Sequence, residues 1–419
     1  MKTSSYSGFF KLSVEDRMKE VAEFCNMSAE DQAVLGAGTL DMDKADHMIE
    51  NVIGKFTYPI GVAINFTING KDVLIPMATE EPSVVAACSN AAKMARAAGG
   101  FTTGYTGNVM ISQIQLLNVP APTYARTKIL DNKEKIMEIC NAKDPVLVSM
   151  GGGVKDVEVR VLDSMIGKMV IVHLLVDTGD AMGANAVNTM AEAVAPFLEE
   201  VSGGVAELRI LSNLADHRLA RASAVFKKDQ IGGEEVVDKI IAAYAFAAAD
   251  PYRAATNNKG IMNGVIPVVI ATGNDTRAIE SGAHSFAARS GQYSPLATWE
   301  KNQDGDLVGT IEMPMAVGLV GGATKIHPVA QACVRMLGIK TSAELAQIIA
   351  CAGLANNLAA LKALATEGIQ RGHMSLHARN LANTVGAKGE VLEQIVKQMI
   401  ADKNVRLEYA QELFEKYSK

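Results

Sequence analysis

Apolar and polar positions follow two different periods along this chain, and the changes of period mark out its organisation. From about residue 13 to 50 the apolar positions recur at helical spacing, opened by Ser13-Val-Glu-Asp16, a pattern that caps a first turn. Alternation takes over at Val62-Ala-Ile-Asn-Phe66. The turn Asn69-Gly70 before Val73-Leu-Ile75 then predicts a hairpin, because both residues accept the positive φ of its tight turn. Pro82 suits the first position of a helix running to about Ala98, which Gly99-Gly100 ends.

Between about 107 and 218 the pattern predicts a strand (109–117), a helix (124–141), two strands in a hairpin (156–162 and 168–177), a helix (182–200) and a strand (205–212). That β-α-β-β-α-β order is ferredoxin-like and builds an antiparallel sheet. A doubly wound dinucleotide fold needs a Gly-rich turn after its first strand. Here Gly151-Gly152-Gly153 precedes a strand, so any dinucleotide binds in a non-Rossmann way. From about 219 Ala-rich helices follow (234–249, 276–289 and 342–364), with a hairpin signal at Asp304-Gly305 between Thr298-Trp-Glu300 and Val308-Gly-Thr-Ile311. Gly368 and Gly372 bracket a hinge before three amphipathic helices (about 374–385, 389–402 and 405–417), which form either a static cap or a lid. The expected fold class is therefore α+β. A large mixed α/β domain (1–107 and 219–367) is interrupted by a small ferredoxin-like, non-Rossmann domain (108–218), and a C-terminal helical flap (368–419) follows.

Composition narrows the function. With 48% hydrophobic and 21% charged residues over 419 positions, the chain fills a large core and is not disordered. A net charge of −6 without a Lys/Arg-rich block argues against a nucleic-acid partner. Five cysteines without any C-x-x-C spacing point to a reducing compartment and to no structural zinc or other metal. The first residues lack the apolar segment of a secretory signal, and no run reaches the ~18 apolar residues of a membrane span. The expectation is a soluble, cytoplasmic protein.

Five places could carry chemistry. Asp180-Ala-Met-Gly-Ala-Asn185 opens a helix with small residues, so its free N–H groups and positive dipole end can approach a phosphate; a tightly packed helix is the alternative. Glu81 stands at a helix mouth, where an acid ordinarily complements the dipole. Proton transfer by Glu81 would need burial and a neighbouring lysine to outweigh that. Lys259 lies among polar and small residues just before the apolar run Val265–Ile270; it either snorkels to solvent or stabilises an oxyanion in a cleft. Asp275 has the position of an N-cap, and His373 suits proton delivery near neutrality.

Taken together, the segments resemble the class II, bacterial-type 3-hydroxy-3-methylglutaryl-coenzyme A reductases. They are Glu50-Asn-Val-Ile-Gly54, Glu80-Glu-Pro-Ser83, Gly99-Gly-Phe-Thr-Thr103, Asp180-Ala-Met-Gly-Ala-Asn185, Ser212-Asn213, Asp250-Pro-Tyr-Arg253, Asn258-Lys-Gly-Ile-Met-Asn-Gly264, Ala271-Thr-Gly-Asn-Asp275 and Gly372-His-Met374. The resemblance implies reduction of the thioester to mevalonate in two hydride transfers with release of coenzyme A, or the reverse. It gives Lys259 the carbonyl oxygen, Glu81 the protons, Asp275 the tuning of both, and His373 the protonation of the departing thiolate. Ser83, Arg253, Asn263 and Asn213 would line the substrate. The dinucleotide would be held by Asp144, Asp180, Met182, Gly183, Ala184 and Asn185. A carboxylate at Asp144 near the adenosine ribose would favour NAD(H) over NADP(H), although the adjacent Lys143, turned inward, would pull the other way. The family also implies a homodimer with the site at its interface, or a trimer of dimers. A dehydrogenase of another acyl-CoA or hydroxy acid is the rival reading; it shares the cofactor helix but makes a single hydride transfer.

Overall fold

The computed structural model describes residues 2–38, 40–366 and 369–418, with the backbone alone for 369–376. Three short helices open the chain: α1 (Val14–Cys25), α2 (Ala29–Ala37) and α3 (Met42–Met48). Each starts on a side chain that accepts an orphan backbone N–H: Ser13 from Asp16, Ser28 from Asp31 and Asp41 from Lys44. The predicted hairpin follows as β1 (Ile60–Ile68) and β2 (Lys71–Ala78), antiparallel around Asn69-Gly70, whose φ values are 49° and 78°. Helix α4 (Val84–Arg96) begins later than Pro82 predicts, because Ser83 takes the N-cap and leaves the proline outside. Strand β3 (Phe101–Tyr105) then pairs with β1.

The second unit runs β4 (Val109–Leu117), α5 (Pro122–Asp131), α6 (Lys133–Asn141), α7 (Pro145–Ser149), β5 (Gly153–Ser164), β6 (Gly167–Asp177), α8 (Ala184–Ser202) and β7 (Val205–Ser212). Its sheet has the order β5-β6-β4-β7 with every neighbouring pair antiparallel, the ferredoxin-like arrangement. The helix predicted over 124–141 is two helices meeting at Asn132. They cover one face of the sheet with α8, burying Met110, Ile114 and Leu116 of β4 against Val187, Met190 and Leu198 of α8.

Strand β8 (Leu219–Phe226) returns the chain to the first sheet. After it come α9 (Lys228–Ile231), α10 (Glu234–Ala249), α11 (Pro251–Ala271), α12 (Thr276–Ala287), β9 (Ala297–Lys301), β10 (Leu307–Pro314), α13 (Gly322–Ile326), α14 (Pro328–Leu337) and α15 (Ser342–Ala365). The larger sheet is mixed, β2-β1-β3-β8-β10-β9, and β1–β3 is its parallel pair. Helix α15 lies in its core against α4, α10, α11 and β8. By length and composition α15 could cross a membrane, and its burial inside this core accounts for the apolar character. Where α11 crosses α15, a Cβ on Gly264 would lie 2.3 Å from the Ala352 carbonyl oxygen, so glycine lets the helices touch.

The tail forms α16 (Ile369–Thr384), α17 (Gly389–Ala401) and α18 (Leu407–Tyr417) around its own small core of Ala378, Leu392, Ile395, Met399 and Leu413. Gly372 lies inside α16 rather than at a hinge, and Gly368 is outside the described residues.

Candidate active site

Helix α11 is continuous from Pro251, which follows the N-cap Asp250, to Ala271. Arg253, Lys259 and Asn263 therefore ride on one helix, whereas the sequence pattern sets Lys259 ahead of a separate apolar segment. Buried amides fix the rotation of α11. Asn258 Nδ2 donates to the Ser294 carbonyl (2.9 Å), and the Leu296 N–H donates to Asn258 Oδ1 (3.0 Å). Asn357 Nδ2 donates to Asn257 Oδ1 (3.0 Å), while Trp299 Nε1 donates to Asn357 Oδ1 (2.8 Å). With Asn257 and Asn258 locked inward, Lys259 is turned outward.

There it meets the loop that follows β2. Lys259 Nζ donates to both carboxylate oxygens of Glu81, at 2.8 and 3.2 Å. One helical turn on, Asn263 Nδ2 donates to Glu81 Oε1 at 3.3 Å. Ser83 is held at φ 77°, a left-handed conformation that costs a non-glycine residue roughly 1–2 kcal/mol and often marks a functional turn. The Lys259 and Glu81 side chains are 60% and 37% exposed in the single chain. An ion pair that open contributes at most ~1 kcal/mol to stability. Its electrostatic strength rises only where water is excluded.

Asp275 stands apart from this pair. It is the N-cap of α12, with Oδ1 accepting from the N–H groups of Arg277 (2.9 Å) and Ala278 (3.2 Å). Among the described residues no hydrogen bond or ion pair joins it to Lys259 or Glu81 within one chain. Twelve residues of α11, a rise of ~18 Å, separate Lys259 from the helix end at Ala271. Arg253 is half-buried in the first turn of α11, and burial lowers its pKa from the usual value. Asn213 follows β7 and is exposed, with α12 against its backbone: a Cβ on Gly282 would lie 2.6 Å from its carbonyl oxygen. The His373 side chain is outside the described residues.

The dinucleotide candidates sit where the two units meet. Helix α8 starts at Ala184, after Gly183 at φ 96° and with no side-chain cap. Its first N–H groups are thus left for an anion, which fits a pyrophosphate. A Cβ on Gly183 would lie 2.3 Å from Thr178 Cγ2, so this turn needs glycine. Met182 and Ala184 are half-buried and Asn185 is exposed. Asp180 is engaged elsewhere: its Oδ1 accepts from the Ser342 N–H (2.7 Å) and its carbonyl from the Leu319 N–H (2.8 Å). Asp144 caps α7 by accepting from the Leu147 N–H at 2.9 Å. The Leu147 side chain packs against Gly152 and reaches Gly179, which sets α7 beside the turn before Asp180. Sequence reasoning did not find α7 or the buried Arg218 behind this turn, since neither carries a motif. A cavity on the open face of the larger sheet, lined by Thr102, Arg221, Ser223, Thr298 and Glu312, shares none of the residues above.

Two α/β units, one with an antiparallel ferredoxin-like sheet rather than a Rossmann one, and an ammonium held on both oxygens of a carboxylate beside the larger sheet define the class: a non-Rossmann protein with a lysine–carboxylate site suited to stabilising and protonating a developing oxyanion. Comparison with known proteins names the family. The family model described as Hydroxymethylglutaryl-coenzyme A reductase matches residues 13–378. The 3-hydroxy-3-methylglutaryl-coenzyme A reductase of Archaeoglobus fulgidus is 61% identical over 99% of this chain and 95% of its own length. The probable enzyme of Borreliella burgdorferi is 36% identical over 93% of this chain and 90% of its own. A solved structure of the reductase from Streptococcus pneumoniae superposes with a TM-score of 0.85 at 42% identity, covering 98% of this chain and 99% of that one. A class II structure from the same organism, bound to NADPH in open conformations, gives 0.83 at 41% identity over 97% and 100%. The chain belongs to the hydroxymethylglutaryl-coenzyme A reductase family, and it is an oxidoreductase that uses NAD(P)H.

Proposed function

We propose that this protein converts 3-hydroxy-3-methylglutaryl-CoA and two NAD(P)H, with two protons, into mevalonate, two NAD(P)+ and free coenzyme A, or runs the reverse. The observation that carries the reading is the Lys259 ammonium held on both oxygens of Glu81, with Asn263 on the same carboxylate. A bound nicotinamide supplies hydride; the rest falls to side chains of this chain. As hydride reaches the carbonyl carbon, negative charge grows on its oxygen, and a positioned ammonium stabilises it. Glu81, in direct contact with that ammonium, is placed to relay the proton. His373 protonates the leaving thiolate. Ser83, Arg253 and Asn213 hold the acyl part.

Asp275 completes the set across a homodimer interface, which its separation from Lys259 within one chain supports. A second subunit would also cover the half-exposed pair and exclude water, and a trimer of dimers extends the same contact. The division of labour follows the two sheets and the tail: 1–107 with 219–367 for substrate and dimerisation, 108–218 for the dinucleotide, and 368–419 as the flap. Asp144 is the residue we take to favour NAD(H) over NADP(H), because a carboxylate beside the adenosine ribose repels a 2′-phosphate; in support, it caps α7, whose Leu147 reaches toward Gly179, and the adjacent Lys143 is exposed.

The test is stoichiometry. Purified protein should consume two reduced dinucleotides per coenzyme A thiol released, and Lys259→Ala should lower kcat by ~100-fold or more with substrate affinity largely kept. One dinucleotide consumed without thiol release would point to the dehydrogenase alternative.

A further inference from the structure

Arg218 is fully buried, yet no carboxylate pairs with its guanidinium among the described residues. A buried cation of this kind must be satisfied by dipoles. Its Nε donates to the Tyr105 hydroxyl at 2.8 Å. Nη1 donates to Thr178 Oγ1 (3.1 Å) and to the carbonyls of Ala181 (3.1 Å) and Met182 (3.3 Å). Nη2 donates to the Val317 carbonyl (2.6 Å) and Ser342 Oγ (3.4 Å). These acceptors come from β3, from the turn ahead of α8, from the segment after β10 and from the start of α15. One side chain therefore joins the smaller unit to the larger at the place where α8 begins.

The same segment after β10 is braced from two more sides. The Gly318 N–H donates to Asn274 Oδ1 at 2.7 Å, next to Asp275. A Cβ on Gly318 would lie 2.5 Å from the Met182 nitrogen, so the backbones there are in contact. Because a trans peptide sets its N–H opposite its C=O, anchoring the Met182 carbonyl turns the Gly183 N–H away from the guanidinium. The turn would otherwise be free to swing, as glycine at positive φ imposes little restraint of its own.

We propose that Arg218 is a positioning residue for the dinucleotide. By gripping the Ala181 and Met182 carbonyls it holds the start of α8 in the orientation that receives the pyrophosphate. It touches neither ligand. The proposal rests on the reading that this helix start takes the dinucleotide. It predicts a selective effect: dinucleotide affinity falls while affinity for the acyl-CoA substrate does not.

The test uses the full-length protein, with NADH, NADPH and 3-hydroxy-3-methylglutaryl-CoA titrated separately by calorimetry and folding checked by thermal unfolding. Arg218→Lys should raise the dinucleotide Kd at least tenfold and leave the acyl-CoA Kd within twofold. Tyr105→Phe, which removes one acceptor and keeps the arginine, should raise the dinucleotide Kd severalfold, and it decides the matter if Arg218→Lys fails to fold. Gly183→Ala separates the two readings. If it weakens dinucleotide binding while the Arg218 and Tyr105 variants do not, the role of Arg218 falls and the helix-start site stands. If Gly183→Ala leaves dinucleotide affinity intact, both fall. Equal loss of both affinities in Arg218→Lys would mark a merely structural residue and overturn the proposal.

Discussion

Adding one methyl group at either of two glycines in α11 should have opposite effects on this protein. At Gly264 a Cβ would lie 2.3 Å from the Ala352 carbonyl oxygen, 2.7 Å from its carbon and 2.9 Å from Asn356 Cβ. Ordinary contact begins near 3.4 Å, so α11 and α15 must part by roughly 1 Å, and two of the three obstacles are backbone atoms that cannot rotate aside. Overpacking of this kind costs ~1–3 kcal/mol, and the rigid neighbours put Gly264→Ala at the upper end. The better helix propensity of alanine returns at most ~1 kcal/mol, leaving a net loss of about 2 kcal/mol. At Gly260 the Cβ would meet only Ala360 Cβ at 3.7 Å, an ordinary contact. Gly260→Ala should therefore stabilise by ~0.5–1 kcal/mol. Chemical denaturation of the two variants reads this difference directly. Activity reads the geometry as well: Asn263 adjoins Gly264, and a 1 Å displacement of positioned groups can lower kcat/KM by about 100-fold. A Gly264→Ala protein as stable as the parent, or a Gly260→Ala protein less stable than Gly264→Ala, would refute the close crossing on which the placement of Lys259 depends.

Two further outcomes concern carboxylates. Burial raises the pKa of Asp72, but the Arg96 guanidinium, the Ser4 N–H and the Thr67 hydroxyl outweigh it and bring the value down to about 2. A depressed pKa stabilises above the unfolded value of 3.8 and loses that contribution as pH falls toward 2. Asp72→Asn should thus cost ~1–2 kcal/mol in urea denaturation near neutrality, with the gap to the parent closing only below about pH 4; a gap absent at pH 7 contradicts it. Asp144→Asn keeps an N-cap for α7 but removes the charge, so the ratio of NADPH to NADH Kd should fall about tenfold or more; an unchanged ratio removes Asp144 from cofactor choice.

Much of this protein was legible in its residues. The second unit could be read because its strands are rich in β-branched and apolar residues, α8 is amphipathic and glycines such as Gly167 and Gly203 mark the turns, so local preference and final structure agree. Two of the elements that escaped show the physical reason. Strand β8, Leu219-Ala-Arg-Ala-Ser-Ala-Val-Phe226, is poor in the bulky residues that favour strands, and its neighbours β3 and β10 supply the pairing that makes it one. Helix α11 holds Gly260, Gly264 and Pro267, each of which breaks a helical pattern in isolation; its contact with α15 supports it instead. The candidate chemistry divides in the same way. Lys259, Glu81, Asp275 and the small-residue helix start could be singled out by residue type and spacing. That Lys259 grips Glu81, that Asp275 has no hydrogen bond or ion pair to either among the described residues of one chain, and that Arg218 stands behind the turn before α8 were decided only by tertiary contacts. A distance between residues 178 positions apart depends on how helices and sheet pack, and no local preference encodes it.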